Sequence, residues 1–541
     1  MKIFKLLNWK VILIMVVIML AAFLRLWKLG QVPISMSDDE IRQAYTSYSI
    51  ALTGKDYFGN FLPTVIKISG YNQWSQPSIY ISSLFYKFLP LSPFSARLPY
   101  ALFAIISVIF FFFVVREVFK NNTLALISSF VLSVSVWDLQ ISRIAMDINT
   151  ALLMYIVAIY LFLISRKRIS MLIWSMLFMF LAFYSYGATK VVFVPLLIIL
   201  IWYKFKDLTK KHLFIILTAF LLTIGSYVFL SVTQNATNYA GYPFFFQDKA
   251  NIALNVELER RATVQPNILK TLYLNKYTYM GKVFLNNYLD AFSPQYLFLG
   301  AEKDGRFAIW ERGELYMLEL PLLIFGAFSL YYKKRKEFYL TGLLLLISPL
   351  PSAIAVGTST WVSRCGFMIY WLYIFIGYGI YSLVMLFKKK NYRYLILALI
   401  LIAYLYSVFG YLTQYYYDWS ITNAKYFSKS TQDLVYLISS RQNQEKKIIV
   451  SGSDDTTFVF YAFYNKIDPL LVQKTLKNKP IRFKNILFQE NCLDNGIGDP
   501  RENMTKESLY ISPVVCHTGI KPDEVIKSYD KTEDIWKIYS E

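Results

Sequence analysis

Eleven apolar segments, each close to the length of a membrane-spanning helix, constrain this chain more than any other feature. A helix needs roughly 20 mainly apolar residues to cross the hydrocarbon core of a bilayer. Hydrophobic residues make up 56% of the 541 residues, above the ~45–50% usual in soluble domains. The sequence therefore predicts a polytopic α-helical membrane protein with about eleven spans. They cover residues 11–29, 95–115, 123–142, 147–165, 170–187, 190–203, 213–232, 315–332, 338–356, 364–387 and 393–413.

The distribution of basic residues supports this count and predicts an orientation. The loops and terminus on one predicted side carry 20 Lys and Arg residues, whereas the three short loops on the other side carry one each. Lys and Arg concentrate on the cytoplasmic side of membrane proteins. We therefore expect a cytoplasmic (inner) membrane location, a cytoplasmic N-terminus and an extracytoplasmic C-terminal region. The net charge of +21 is then a topological signal, and we expect no nucleic-acid partner.

Three long segments lie on the predicted outer side. Loops at 30–94 and 233–314 belong to a transmembrane domain over residues 1–417, and residues 418–541 form a soluble domain. Strand-like runs at 447–451, 457–463, 508–515 and 534–539, with a helical pattern at 428–441, predict a small α/β fold there. Cys492 and Cys516 both fall in this domain, so an extracytoplasmic location permits a disulfide between them.

Adjacent carboxylates mark the first outer loop. Asp38, Asp39 and Glu40 follow the first span by about ten residues. Acids this close to a bilayer are costly unless they face water, a cation or a reacting group. A fourth acid, Asp147, begins the fourth span on the same side. A structural alternative stays open: Asp38 or Asp39 caps a helix at 40–52, and Asp147 caps its own span.

Cations and aromatic rings are predicted on the same face. Glycosyl transfer uses a carboxylate to accept a proton from the attacking group, cations to stabilise the leaving phosphate, and ring faces to stack on sugars. Each group also has an ordinary role, because Lys and Arg snorkel at helix ends and Tyr and Trp form interfacial belts. The cations are Arg143, Lys190, Arg364 and Lys67, and the aromatic residues include Tyr45, Trp74, Tyr80 and Tyr186.

Several motifs follow one another in an order that resembles a known enzyme family. They are Arg25-Leu26-Trp27 with Leu29-Gly30 and Pro33, Asp39-Glu40-Ile41-Arg42, Gln76-Pro77-Ser78-Ile79-Tyr80, Ser95-Ala96-Arg97-Leu98-Pro99, Ser142-Arg143, Tyr184-Ser185-Tyr186 with Lys190 and Pro195, Gly313-Glu314-Leu315-Tyr316, and Ser363-Arg364. Over residues 11–412 the chain resembles the protein O-mannosyltransferase-like glycosyltransferases, a group that includes the transferases that add aminoarabinose to lipid A. Ser78 stands where the family pattern has a second proline.

The resemblance implies a GT-C fold and a polyprenyl-phosphate sugar donor, with a lipid, glycan or protein as acceptor. By motif match, Asp39 is the expected base with Glu40 beside it, and Asp147 is a second catalytic acid. Lys190 and Arg364, with Arg143 and Lys67, are the expected donor phosphate ligands. Tyr45, Trp74, Tyr80 and Tyr186 are the expected sugar or acceptor ligands. Some members use a divalent cation, for which Asp39 and Glu40 are the candidate ligands.

The sequence thus predicts a hexosyl or pentosyl transferase that acts with inversion at the extracytoplasmic face. Two alternatives stay open. An O-antigen ligase or polymerase-like enzyme uses a lipid diphosphate donor and depends more on outer-loop arginines. A lipid or solute transporter carries charges or broken helices near the bilayer midplane.

Overall fold

The computed structural model describes residues 9–68, 71–73, 76–234, 249–300, 302, 304–307, 309, 312–355, 362–452 and 455–541. The contacts divide the chain into two compact units. The helical unit comprises Met1–Arg25, Leu102–Ser142 and Asp147–Tyr411, and the sheet unit comprises Leu26–Ala101, Arg143–Met146 and Leu412–Glu541. The predicted domain boundary at residue 417 assigned the loop at 30–94 to the transmembrane domain, whereas the contacts group this loop with the C-terminal region.

Helices account for most of the described chain. Those up to residue 233 are α1 Trp9–Leu26, α2 Asp38–Thr53, α3 Gln76–Phe85, α4 Pro93–Phe119, α5 Asn122–Ser133, α6 Val136–Ser142, α7 Asp147–Ile164, α8 Ile169–Ser185, α9 Lys190–Lys204 and α10 Lys210–Thr233. Those up to residue 413 are α11 Lys249–Arg261, α12 Asn267–Tyr273, α13 Lys276–Asp290, α14 Glu319–Lys333, α15 Arg335–Ile347, α16 Leu350–Ala353, α17 Val362–Cys365, α18 Met368–Leu386 and α19 Lys390–Thr413. The last four are α20 Ser420–Thr422, α21 Lys429–Arg441, α22 Asp455–Tyr464 and α23 Pro469–Thr475.

Every predicted span coincides with helical structure, but fewer helices are long enough to cross a membrane. Among the described residues, five helices have the length and apolar character of a span, or six if the bent pair α5 and α6 is one span. Some predicted spans contain helices that are too short to cross a bilayer, such as the 15-residue α9 and the 13-residue α15. The fold is thus a membrane helical protein with a sheet region, and the count of eleven stays a prediction.

A buried ion pair within the helical unit holds the bend between α5 and α6, which is 58°. Arg25, near the end of α1, donates from Nε to Asp138 Oδ2 on α6 at 3.2 Å, and from Nη1 to the Ser133 carbonyl at 3.0 Å. The last carbonyls of a helix lack partners within it, and a guanidinium satisfies them well. The motif arginine is therefore a structural residue of the helical bundle.

The described residues of the sheet unit form eight strands. A short antiparallel hairpin pairs β1 Ile66–Ile68 with β2 Tyr71–Gln73. The other six are β3 Lys447–Val450, β4 Ile481–Phe483, β5 Ile486–Phe488, β6 Ser508–Pro513, β7 Glu524–Lys527 and β8 Asp534–Ser540. They form one mixed sheet in the order β4-β5-β3-β6-β8-β7, in which β3 runs parallel to β5 and β6 and the other pairs are antiparallel.

The predicted α/β fold is present, with one wrong element. Residues 457–463 were predicted as a strand, but they lie in α22, and all seven are buried. A continuous apolar run does not distinguish a buried strand from a buried helix, because neither shows periodicity. Strands at 447–450, 508–513 and 534–540 and the helix at 429–441 agree with the prediction.

One hydrophobic core explains why the first outer loop groups with the C-terminal residues. Side chains of α2, among them Ile41 and Tyr45, pack in the same cluster as Phe458 of α22 and Ile448 of β3. The Tyr45 hydroxyl donates to the Ile467 carbonyl at 2.7 Å. The sheet unit also contains the disulfide Cys492–Cys516, with a Cα–Cα distance of 5.9 Å, between the loop after β5 and the loop after β6.

Candidate functional site

Glu40 is at the centre of a buried hydrogen-bond network in the sheet unit. Its carboxylate accepts from Arg97 Nε at 2.8 Å and from Arg97 Nη2 at 3.2 Å, and both side chains are fully buried. It also accepts from the backbone N–H of Ser37 at 3.0 Å and of Ala145 at 3.0 Å. Because both oxygens are engaged, this geometry favours a positioning role for Glu40 over the predicted catalytic one.

The same network identifies the cap of α2. Ser37 is the N-cap, and Ser37 and Glu40 form a reciprocal capping box. The sequence alternative that Asp38 or Asp39 caps this helix is therefore wrong. Ser37 supplies the capping oxygen, and Glu40 at the third helical position completes the box.

Asp38 and Asp39 differ from Glu40 in being exposed. They occupy the first turn of α2, where the helix dipole favours a charged carboxylate. Asp38 Oδ1 accepts from the Ser428 hydroxyl at 2.6 Å. Asp39 is thus the exposed acid of the Asp-Glu motif, as a base that meets a substrate must be.

Arg97 holds the chain before α2 in place. In addition to Glu40, its guanidinium donates to the carbonyls of Leu29 at 3.3 Å and Pro33 at 3.0 Å. Gly30 fits there because a Cβ at that position would lie 3.0 Å from the Cβ of Phe94. The motif residues around 29–40 and 95–99 therefore build one rigid connection that presents the first turn of α2.

Arg143 is also held within the sheet unit. Its side chain is 1% exposed, its Nε donates to the Tyr415 hydroxyl at 3.2 Å, and its Nη2 donates to the Val32 carbonyl at 3.1 Å. The guanidinium lies 5.4 Å from the ring centre of Tyr415 and 5.3 Å from that of Tyr416. These contacts favour a structural role over the predicted contact with a donor phosphate.

The predicted sugar ligands of the first loop have different surroundings. Tyr45 is completely buried and leaves no ring face for a sugar. Tyr80 is half-buried, and its hydroxyl donates to the Pro63 carbonyl at 2.9 Å. Trp74 and the side chain of Lys67 lie outside the described residues, so their roles stay predictions.

Four of the predicted site residues come together in the helical unit. Tyr186, which follows α8, donates its hydroxyl to Ser363 Oγ at 3.2 Å. It lies within electrostatic range of Arg364 on α17 and of Asp147 at the start of α7. Asp147 also interacts electrostatically with Lys190, the first residue of α9. We call Asp147, Tyr186, Lys190 and Arg364 the α7–α9 cluster.

Burial distinguishes the members of this cluster. Asp147 and Arg364 are 4% and 8% exposed, whereas Tyr186 and Lys190 are half-buried. The Lys190 ammonium lies 5.6 Å from the ring centre of Tyr227 and 6.0 Å from that of Phe183. Two cations are therefore partly desolvated beside one carboxylate, which strengthens their attraction for an incoming anion.

Sequence reasoning missed a further cation at this cluster. Arg306 interacts electrostatically with Tyr186. It also donates to both carboxylate oxygens of Asp304, from Nη2 to Oδ2 at 2.7 Å and from Nε to Oδ1 at 3.1 Å. It lies in the loop at 233–314, more than 100 residues from Tyr186 in sequence. No local sequence pattern predicts a contact between residues so far apart. The nearest signal in the sequence is Asp304, an acid two residues before Arg306.

The surroundings of Glu40 do not fit a metal ion. Both of its oxygens accept hydrogen bonds from Arg97 and backbone N–H groups. In the described part of the chain, no three His, Cys, Asp or Glu side chains are grouped as metal ligands. The divalent cation therefore stays a prediction.

Comparisons with known proteins agree with this architecture. Residues 78–229 match the family model described as dolichyl-phosphate-mannose-protein mannosyltransferase. No curated protein sequence matches the chain.

Solved structures match almost the whole chain at low sequence identity. ArnT from Cupriavidus metallidurans bound to undecaprenyl phosphate is 13% identical, with 98% of each chain covered and a TM-score of 0.55. The same protein in the apo state is 12% identical, with a TM-score of 0.53 over 98% of this chain and 97% of that one. The archaeal oligosaccharyltransferase AglB from Archaeoglobus fulgidus, in complex with an inhibitory peptide and a dolichol phosphate, is 11% identical. Its TM-score is 0.50 over 94% of this chain and 69% of that chain.

Because the sequence identities are only 11–13%, the solved structures establish the fold alone. The family model is independent support, because it matches residues 78–229 by sequence. The chain is therefore a membrane protein with the GT-C fold, similar to the protein mannosyltransferases and ArnT-like glycosyltransferases, as its motifs predict.

Proposed function

We propose that this protein transfers one sugar from a polyprenyl-phosphate donor to a lipid, glycan or protein acceptor at the extracytoplasmic face of the cytoplasmic membrane. The α7–α9 cluster is the observation that carries the proposal. It brings together Asp147 and Lys190, the first residues of the apolar helices α7 and α9, and Arg364 on the short α17. The ends of membrane-spanning helices lie at the depth where a lipid carries its phosphate. Matched solved structures that contain undecaprenyl phosphate and dolichol phosphate support the donor class.

Lys190 and Arg364 supply the electrostatic part of the reaction. As the bond between the sugar and the phosphate breaks, negative charge accumulates on the lipid phosphate. Preorganised cations in a partly desolvated site stabilise that charge more than water does. The Tyr186 hydroxyl donates to Ser363 Oγ, on the residue before Arg364, which orients the Tyr186 ring in the cluster.

Asp39 supplies the base in this proposal. The acceptor hydroxyl or amine attacks the anomeric carbon, its proton passes to the Asp39 carboxylate, and the electron pair of the broken carbon–oxygen bond leaves with the polyprenyl phosphate. A single displacement of this kind inverts the anomeric centre. Exposure of Asp39 and full engagement of Glu40 favour Asp39 for this role.

Donor phosphate binding provides the test. Labelled polyprenyl phosphate is titrated against the full-length protein in nanodiscs, with Lys190→Gln as the variant. The control is Lys206→Gln, because Lys206 is exposed and lies in the turn after α9. We expect Lys190→Gln to weaken binding about tenfold or more, with Lys206→Gln equal to the wild type. Equal affinities for all three proteins would contradict the proposal.

A further inference from the structure

The helical unit contains a cavity of about 630 Å³ at the opposite end of α7 from the cluster. Its charged and polar lining residues are Arg116 and Glu117 of α4, Lys120 just after α4, Asn122 of α5 and Arg168 before α8. The rings of Phe113 and Tyr160 also line it. Ile164, the last residue of α7, also lines it, whereas Asp147 is the first residue of that helix. At 1.5 Å per residue the two ends are roughly 25 Å apart, close to a bilayer's hydrocarbon thickness.

The cavity has excess positive charge. Lys120 forms an ion pair with Glu117, so these two charges compensate each other. Arg116 and Arg168 form no ion pair and no side-chain hydrogen bond within the described ranges of the chain, and both are exposed. Glu117, the acid that lines the cavity, is paired with Lys120, so the guanidinium groups of Arg116 and Arg168 leave the cavity with excess positive charge.

The wall on the helix side is apolar and aromatic. The rings of Phe113 and Tyr160 have centroids 5.4 Å apart, and Phe110 packs against both, at 6.3 and 5.9 Å. These residues belong to α4 and α7, two helices with the length and hydropathy of membrane spans. The cavity thus has basic residues on one side and, on the other, aromatic rings against which a hydrocarbon chain can pack.

We propose that this cavity binds the headgroup of an anionic phospholipid, with its phosphate on Arg116 and Arg168 and its chain along Phe113 and Tyr160. Basic pockets between helices at one membrane face are a recurrent mode of lipid headgroup recognition. Guanidinium groups pair with phosphate through charge-assisted hydrogen bonds. The apolar wall favours a lipid over free phosphate, because free phosphate has no hydrocarbon chain to pack against that wall. The site is separate from the proposed donor site, so either proposal can fail without the other.

Lipid retention measures this binding directly. The full-length protein is purified with phosphatidylglycerol and phosphatidylcholine in equal amounts, and the bound lipid is quantified by native mass spectrometry. The variant is Arg116→Gln with Arg168→Gln. The matched control is Lys388→Gln with Lys389→Gln, since these two exposed lysines lie between α18 and α19 and do not line the cavity.

The wild type and the control are expected to retain phosphatidylglycerol over phosphatidylcholine, and the arginine variant to retain about tenfold less phosphatidylglycerol. Both variant sites are exposed, so folding is checked by an unchanged melting temperature. An equal loss in the lysine control would assign the effect to general interfacial charge and overturn the proposal. Displacement of the lipid by millimolar inorganic phosphate would also overturn it, because the site would then bind free phosphate.

Discussion

Glu40 and Arg97 form an ion pair in which neither side chain is exposed, with Arg97 Nε 2.8 Å from Glu40 Oε1. Burying two charges is costly, and the cost is offset only where hydrogen bonds satisfy the remaining polar atoms. Here the carbonyls of Leu29 and Pro33 and the N–H groups of Ser37 and Ala145 supply those bonds. The pair joins three segments of the sheet unit and fixes the first turn of α2.

Glu40→Gln is expected to destabilise the protein by about 3–5 kcal/mol, because it leaves Arg97 charged, buried and unpaired. In either orientation the new amide NH₂ faces groups that donate, since both carboxylate oxygens accept hydrogen bonds. The readout is the melting temperature of the detergent-solubilised protein. Asp38→Asn, an exposed change two residues away, serves as the control, and a Glu40→Gln protein as stable as that control would contradict the structural role.

The chain before Tyr316 gives a pH-dependent prediction. Glu314 is 1% exposed, and its Oε2 has no hydrogen-bond partner among the described residues. Burial, and then the nearby charge of Glu302, raise the pKa of the Glu314 carboxyl well above its ordinary value. The folded state therefore favours the protonated form. The stability that this provides is present below the unfolded pKa of about 4.3 and is lost as the pH rises through the raised value.

The melting temperature of Glu314→Gln is consequently expected to fall less steeply between pH 5 and pH 9 than that of the wild type. A glutamine keeps the shape of the protonated acid and does not ionise. Melting temperatures of both proteins across this range check the prediction, with Glu257→Gln on the exposed surface of α11 as the reference change. If the two pH profiles have the same slope, Glu314 is not the group responsible.

The disulfide gives a third prediction. Cys492 and Cys516 are 24 residues apart and tie together the loops after β5 and β6. In the chain-entropy account, a closed loop of this length stabilises the folded state by about 3.5 kcal/mol. Cys492→Ser with Cys516→Ser should therefore lower the melting temperature of the sheet unit, as should reductant added to the wild type. A wild type that reductant leaves unchanged while the double variant melts earlier would assign the effect to packing.

The length of the apolar segments and the bias in Lys and Arg made the helical architecture predictable. The bends and breaks in the helices were not predictable. All eleven predicted segments contain helix, yet α5 and α6 bend by 58° at Val134–Ser135. Arg25, more than 100 residues away in sequence, donates to the carbonyls of Leu132 and Ser133 at that bend. A contact of that separation leaves no periodic trace, so composition predicts the hydrophobic segment but not its geometry.

In the candidate site, too, the sequence predicts which residues are candidates but not the contacts that separate their roles. Asp39 and Glu40 are adjacent and chemically alike, but successive helical residues point about 100° apart, which exposes Asp39 and buries Glu40. Sequence alone could not separate them, since the partner of Glu40 is Arg97, 57 residues further on. Lys190, Asp147, Tyr186 and Arg364 were each proposed from sequence, whereas Arg306 required the fold.

The most direct test of the account compares sugar transfer by the wild type with that by Asp39→Asn. Membranes containing each protein at equal expression receive a panel of labelled polyprenyl-phosphate sugars, with and without EDTA, and released sugar is followed. Asp38→Asn is the matched control because Asp38 is exposed in the same helical turn. We predict turnover by the wild type and by Asp38→Asn, and a loss of about 100-fold in Asp39→Asn. Undiminished turnover by Asp39→Asn would contradict the assignment of Asp39 as the base.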